Sequence, residues 1–317
     1  MQRWGKTAAG HTRWRCPRCF TSSTVSRPDV TKKARYLLFV SWITGTKTLS
    51  DIASRYAVNR WTITAWFRPF WHHTPRPMPP PETIDVLIID GLYLASRSHC
   101  VLIGKTPTIV IRWLFTERES YGSWLIFFSS LPEPRIVVCD GQKGMRSAIR
   151  TVWPHVQIQR CVFHVHELAM ARITKSPRTL AGQRLRVIMS RLFAVHTRRQ
   201  KRRWVRQYVH WRRQSETFLK QRTHIQFPGR KRSWWYTHRN LRSVRSLIDN
   251  ALPELFTYIG HAEIPRTTNH VEGGMNSHLS ELVHRHRGIS EEKKEILIAH
   301  ILAEKQREKP TRNLTQL

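Results

Sequence analysis

Two short apolar runs in this chain end in an acid. In "DVLIIDGLYL" the acid is Asp90, in "RIVVCDGQKGM" it is Asp140, and glycine follows both. The β-branched aliphatic residues ahead of each acid predict strands, and the glycines predict breaks after them. The chain holds 54 Lys and Arg but only 21 Asp and Glu, so two of few carboxylates occupy rigid, apolar-flanked positions. If the two strands are neighbours, both acids project toward one end of a sheet. Carboxylates brought together repel, and a divalent cation relieves the repulsion. That is the requirement of two-metal phosphoryl transfer across a phosphodiester.

Such a centre normally needs a third acid, and Glu272 in "IPRTTNHVEGGMNSHLSEL" is the best placed. Thr267 or Thr268 can cap a helix there, Glu272 falls in its first turns, and Asn269 and Asn276 sit at neighbouring positions. Glu167, Glu254, Glu263 and Glu281 are weaker candidates. A single strand-end Asp is more often a cap or a turn residue. The repeated context, in so cationic a chain, shifts the balance toward chemistry.

A formal net charge of +33 spread over 317 residues points to a polyanionic partner, and nucleic acid is the natural one. Thirteen Trp interleaved with cations suit bases and phosphates, although most Trp in any protein are core. No run of 18 apolar residues appears, and the start lacks a signal-peptide core. The expectation is a soluble, cytoplasmic, nucleoid-associated protein with no membrane partner. Cys16 and Cys19, in "RWRCPRCF", have the spacing of one zinc knuckle, two ligands of the four a structural zinc takes. His11 is a further candidate. A partner pair upstream of Met1, or a decayed ribbon, is the reading adopted, with two free thiols as the alternative.

The elements that must position these residues fall into regions: a zinc-ribbon-like segment over 1–30, a helix-turn-helix over 31–71 and a Pro-rich linker over 72–82. An α/β core follows over 83–160 and 261–305, interrupted by a helical insertion over 161–260 and followed by a basic tail over 306–317. Strands are predicted at 84–94, 99–105, 108–115 and 135–139, with one helix in "SYGSWLIFFSSL". In "TLSDIASRYAVNRWTITAWF" two apolar faces flank a tight turn, with Ser50 and Asn59 as candidate caps and Ala57 where glycine would turn more easily. Asn59, Arg60, Thr62 and Thr64 then lie at the start of a recognition helix that would read DNA. An ordinary helical hairpin is the alternative. In the insertion, Trp204, Tyr208 and Trp211 form an apolar stripe on an otherwise cationic helix, whose arginines suit contact with a DNA backbone.

Taken in order, these segments resemble the Mutator-type insertion-sequence transposases of bacteria, and the resemblance runs along nearly the whole chain. "IIDGLYL", "CDGQKGMRSAI" and "TTNHVEGGMN" look like the family's three acidic motifs, which places its metal-binding acids at Asp90, Asp140 and Glu272. "VWPHVQIQRCVFH" is similar to its Cys-x-x-His signature, at Cys161 and His164; "SWWYTH", with Trp234 and Trp235, and "HRGIS" match as well. The resemblance implies a ribonuclease H-like core with an all-α insertion, and two Mg²⁺ ions held by the Asp-Asp-Glu triad. Cys161, His164, Asn269 and Asn276 would support that triad. It implies metal-dependent strand cleavage and strand transfer on double-stranded DNA, at terminal inverted repeats and target, by a homodimer or higher assembly. Trp234 and Trp235 are then expected at the DNA. The alternatives are a catalytically degenerate DNA-binding remnant or repressor, and a nuclease that cannot join strands.

Overall fold

The computed structural model describes residues 1–24, 28–94, 99–224, 234–268 and 276–307. It forms two compact units, Met1–Arg76 with His286–Ile301, and Pro77–Arg285 with Leu302–Leu317.

The first unit begins with an antiparallel meander of β1 (Gln2–Lys6), β2 (Thr12–Arg15) and β3 (Ser22–Thr24). Three helices follow, α1 (Pro28–Thr44), α2 (Leu49–Arg55) and α3 (Arg60–Phe67). Phe39 and Ile43 of α1, Ile52 and Ala53 of α2, and Ile63 and Phe67 of α3 are buried, and Trp42 stacks on Phe67 at 5.4 Å between centroids. The cap of α2 is Thr48 rather than Ser50. Thr48 Oγ1 accepts from Asp51 N while Asp51 returns its carboxylate to Thr48 N at 2.8 Å. This reciprocal box satisfies two end donors and leaves Ser50 one residue inside the helix. Asn59 does cap α3, its Oδ1 accepting from Trp61 N at 2.9 Å. Between the two helices Ala57 takes φ +50°, the left-handed conformation for which glycine would be the easier residue.

The second unit is a mixed α/β arrangement around a five-stranded sheet. Its strands are β4 (Val86–Tyr93), β5 (Cys100–Lys105), β6 (Val110–Thr116), β7 (Ile136–Cys139) and β8 (Gln157–Arg160), in the order β6-β5-β4-β7-β8. The three consecutive strands β4, β5 and β6 pair antiparallel, while β7 runs parallel to β4 and β8 parallel to β7. Both faces are covered, which is why the central strands read as unbroken apolar runs. Leu87, Ile89, Val137 and Cys139 pack on α4 (Tyr121–Phe128) and α5 (Lys143–Val152). Val86, Ile88, Ile136 and Val138 pack on the helical region that follows. The single helix expected among the strands is thus joined by α5, whose Met145, Ala148 and Ile149 share one buried face.

The helical region comprises α6 (Val162–Ile173), α7 (Leu180–Ser190), α8 (Arg198–Gln214), the short α9 (Glu216–Lys220) and α10 (Arg239–Ala251). A two-stranded ribbon, β9 (Arg222–His224) and β10 (Trp234–Tyr236), interrupts it. Trp204, Tyr208 and Trp211 are the buried stripe of α8, and each polar tip finds a partner. Trp204 Nε1 donates to Ile188 O at 2.9 Å, Trp211 Nε1 to Ala181 O at 2.8 Å, and the Tyr208 hydroxyl to Asp249 Oδ1 at 2.8 Å. Among the described residues no helix is long and apolar enough to cross a membrane.

These rings hold the helices chiefly by area removed from water. Trp204→Ala is expected to cost about 3–5 kcal/mol of stability, and Tyr208→Phe, which loses one hydrogen bond and no volume, about 1 kcal/mol. Chemical denaturation of both variants, followed by tryptophan fluorescence, checks the ratio.

Candidate active site

The sheet sets the geometry of the acids. β4 and β7 pair in parallel with Val86 opposite Ile136, Leu87 opposite Val137 and Ile88 opposite Val138. Asp90 and Asp140 each follow the last of these pairs by two residues, so both acids lie toward the same end of the sheet. Paired strands lie about 4.8 Å apart. Asp90 is inside β4, opposite Ile103 on its other neighbour. Asp140 stands one residue beyond β7.

Asp90 is buried, and Asn276 Nδ2 donates to its Oδ2 at 2.5 Å. Asn276 itself is only 8% exposed, and its buried Oδ1 has no hydrogen-bond partner among the described residues. Asp140 is half-buried, and its Oδ1 accepts from Gln142 N at 2.8 Å. The glycine between them is needed twice. Gly141 adopts φ +82°, and a Cβ there would overlap the guanidinium of Arg160, which donates from Nε to Asp140 O at 3.2 Å.

The structure also places a residue at this end of the sheet that the sequence reading passed over. Glu119 follows β6 and precedes α4. Its carboxylate lies against Gly91, where any Cβ would collide with it. Burial, and then the charge of Asp140, push its carboxyl up to about 7, an effect that His164 partly offsets. Burial, and then the charges of Glu119 and Asp90, likewise push the Cys100 thiol up to about 12. Asp90, Asp140, Glu119 and His164 therefore share one electrostatic neighbourhood. In "TERES" Glu119 looks like one more surface acid, and its only signal is its place between a strand and a helix.

Cys161 supports the approach to the third acidic motif. Its fully buried Sγ accepts from Thr268 N and Thr268 Oγ1, both at 3.3 Å, and from His164 N at 3.5 Å. Val162 N donates to Arg266 O at 3.0 Å, so residues 266–268 are tied to the first turn of α6. Glu272 and Asn269 lie outside the described residues.

The oxygen donors of Asp90, Asp140 and Asn276 suit a hard divalent cation, and the unpartnered Asn276 Oδ1 beside Asp90 fits such an ion. Among the described residues no three His, Cys, Asp or Glu side chains already stand close enough to hold a metal by themselves.

The remaining candidates lie elsewhere. Cys16 and Cys19 flank a tight turn between β2 and β3 in which Phe20 has φ +60°. The exposed Cys19 thiol is pushed down to about 7 by hydrogen bonding with Thr21 and then with Cys16. On α3 the Asn59 side chain serves as the cap, Arg60 and Thr64 are exposed, and Thr62 is half-buried. Trp234 and Trp235 are half-buried on β10, with the Arg222 guanidinium 4.0 Å from the Trp234 ring and Arg239 5.8 Å from that of Trp235.

Residues 104–233 match the family model described as Transposase, Mutator family. The transposase for insertion sequence element IS905 of Lactococcus lactis subsp. lactis (strain IL1403) is 27% identical over 119 residues, 33% of this chain and 30% of the relative. A probable transposase for insertion sequence element of Corynebacterium diphtheriae is 25% identical over 188 residues, 54% of each protein. The chain thus spans about a third to about half the length of these curated relatives.

The Cys161 contacts generate a prediction. Cys161→Ala removes the buried sulfur that accepts from Thr268 N and Oγ1 and is expected to cost about 1–3 kcal/mol. Cys161→Ser, which retains an acceptor, should cost less. Thermal melts of the two variants decide it, and equal losses would mean that packing rather than hydrogen bonding fixes this position.

Proposed function

The chain is a relative of the Mutator-family insertion-sequence transposases, and from that premise we propose that it cuts and rejoins DNA at the ends of such an element. The observation that carries the reading is the parallel pairing of β4 with β7, whose last pair, Ile88 with Val138, lies two residues before Asp90 and Asp140, in a chain of net charge +33. The strand order β6-β5-β4-β7-β8, antiparallel in its first half and parallel in its second, supports a ribonuclease H-like core for it.

Asp90, Asp140 and Glu272 would hold two Mg²⁺ ions. When bound, those ions would offset charge on the scissile phosphate and activate first a water and then the freed 3′-hydroxyl. The protein's own part is positional. Asn276 orients Asp90 through its amide, Gln142 N fixes one oxygen of Asp140, and Cys161 sets the chain leading to Glu272 through Thr268. Asp90, Asp140, Gln142 and Cys161 sit on or beside strands and helix starts, so little reorganisation of these groups would accompany catalysis.

DNA would be gripped at several places. Arg60 and Thr64, exposed on α3, would meet base edges of the terminal inverted repeats. The cations of α8 would follow the phosphate backbone, and Trp234 and Trp235 would lie against DNA beside them. Two ends must be held together for joining, which calls for a homodimer or larger assembly. Cys16 and Cys19 would supply half of a zinc site in the amino-terminal region.

Incubation with labelled DNA bearing the element's ends, with and without Mg²⁺, tests the proposal. Metal-dependent 3′-end cleavage and joining are expected, and Asp140→Ala should reduce the rate by at least about a thousandfold while end binding persists. Binding without cleavage under every metal condition would contradict the enzymatic reading and favour a DNA-binding remnant.

A further inference from the structure

We infer that Trp61 is a sequence-reading residue of α3, whose ring packs on the C5-methyl group of a thymine in the DNA this chain recognises. This rests on the proposed function and deepens it, since it names a base that the recognised sequence must carry.

Trp61 is 79% exposed, more than any other large apolar side chain among the described residues. A single exposed ring is ordinary on a protein surface, so its place decides the matter. The other tryptophan of the same helix shows the usual arrangement. Trp66 is half-buried, with the Tyr56 ring 6.1 Å away between centroids and the Arg35 guanidinium 4.8 Å from its own ring. The Trp61 ring has no such aromatic or cationic neighbour among the described residues. Its backbone is nonetheless fixed, because Trp61 N donates to the Asn59 cap at 2.9 Å, and Trp61 is the second residue of α3. The first residues of a recognition helix are those that reach base edges.

The face around it is chemically simple. Trp61, Thr64 and Ala65 are all exposed, and spacings of three and four put them on one side of the helix. The Thr64 hydroxyl donates back to Arg60 O at 3.2 Å, so its hydrogen is spent inside the helix. The middle of the face therefore offers carbon, with the exposed Arg60 and Arg68 at its two ends. In the major groove carbon has one specific partner, since only thymine presents a methyl group there. The charge suits the same partner. Over residues 45–76 the one acid is Asp51, against Lys47, Arg55, Arg60, Arg68 and Arg76. Its carboxylate is turned back onto Thr48 N and Thr48 Oγ1, each at 2.8 Å. A second copy of this basic chain, docked on the same face, would set like charges together.

The test reads binding base by base. Duplexes are selected from a random pool by the full chain, and each thymine of the selected sequence is replaced in turn by uracil, which lacks only the methyl group. One replacement should weaken wild-type binding about fourfold, the worth of one buried methyl. Trp61→Ala should weaken binding to the selected duplex at least about tenfold and abolish that uracil effect. Its binding to an unrelated duplex should hardly change, because phosphate contacts persist, and an exposed ring predicts an unchanged melting temperature. If no replacement matters, or if the same one matters equally in Trp61→Ala, the inference is overturned and the sequence-specific binding of the chain still stands. Full affinity for the selected duplex in Trp61→Ala, with a lowered sedimentation coefficient, would mark the ring as a contact between copies and also overturn it. A pool from which nothing is enriched would remove end recognition from the proposed function, and the inference with it.

Discussion

The parallel pairing of β4 with β7 is the constraint on which the rest depends. Two strands separated by some forty residues of chain meet in one register, and Asp90 and Asp140 each follow its last pair by two residues. A slip of one residue would turn every side chain of one strand to the other face. The buried alternation prevents it, because Val86, Ile88, Ile136 and Val138 serve one apolar layer while Leu87, Ile89, Val137 and Cys139 serve the other. Packing on both faces of the sheet thus fixes the spacing of charges at its end.

Around that pair, each neighbour removes one degree of freedom. Asn276 turns Asp90, and Gln142 N and Arg160 fix the turn at Asp140. Cys161 ties residues 266–268 to the start of α6 through sulfur hydrogen bonds. The helical region that separates β8 from this segment contributes its own aromatic core, so the two chain ends it returns are held by folded structure and not by a loop.

Much of this was legible in the sequence because it depends on local patterns. The β-branched runs ending at Asp90 and Asp140 announced two strands, the Trp204, Tyr208 and Trp211 spacing announced the buried face of α8, and Asn59 announced a cap. What escaped depends on partners far away in the chain. Thr48 wins the cap of α2 over Ser50 because Asp51 can close the reciprocal box. β8 is four residues, "QIQR", too polar and short to stand out beside the helices that follow it. Glu119 carries no signal beyond its place between a strand and a helix, since only the sheet brings "TERES" against Gly91.

The central claim is that a divalent cation is held at the end of the sheet that carries Asp90 and Asp140. Replacing Mg²⁺ with Fe²⁺ and adding peroxide and ascorbate cuts the polypeptide wherever the iron is held. The account predicts cuts clustered near residues 90 and 140 that Mg²⁺ suppresses. Cuts confined to the neighbourhood of Cys16 and Cys19, or insensitive to Mg²⁺, would contradict it.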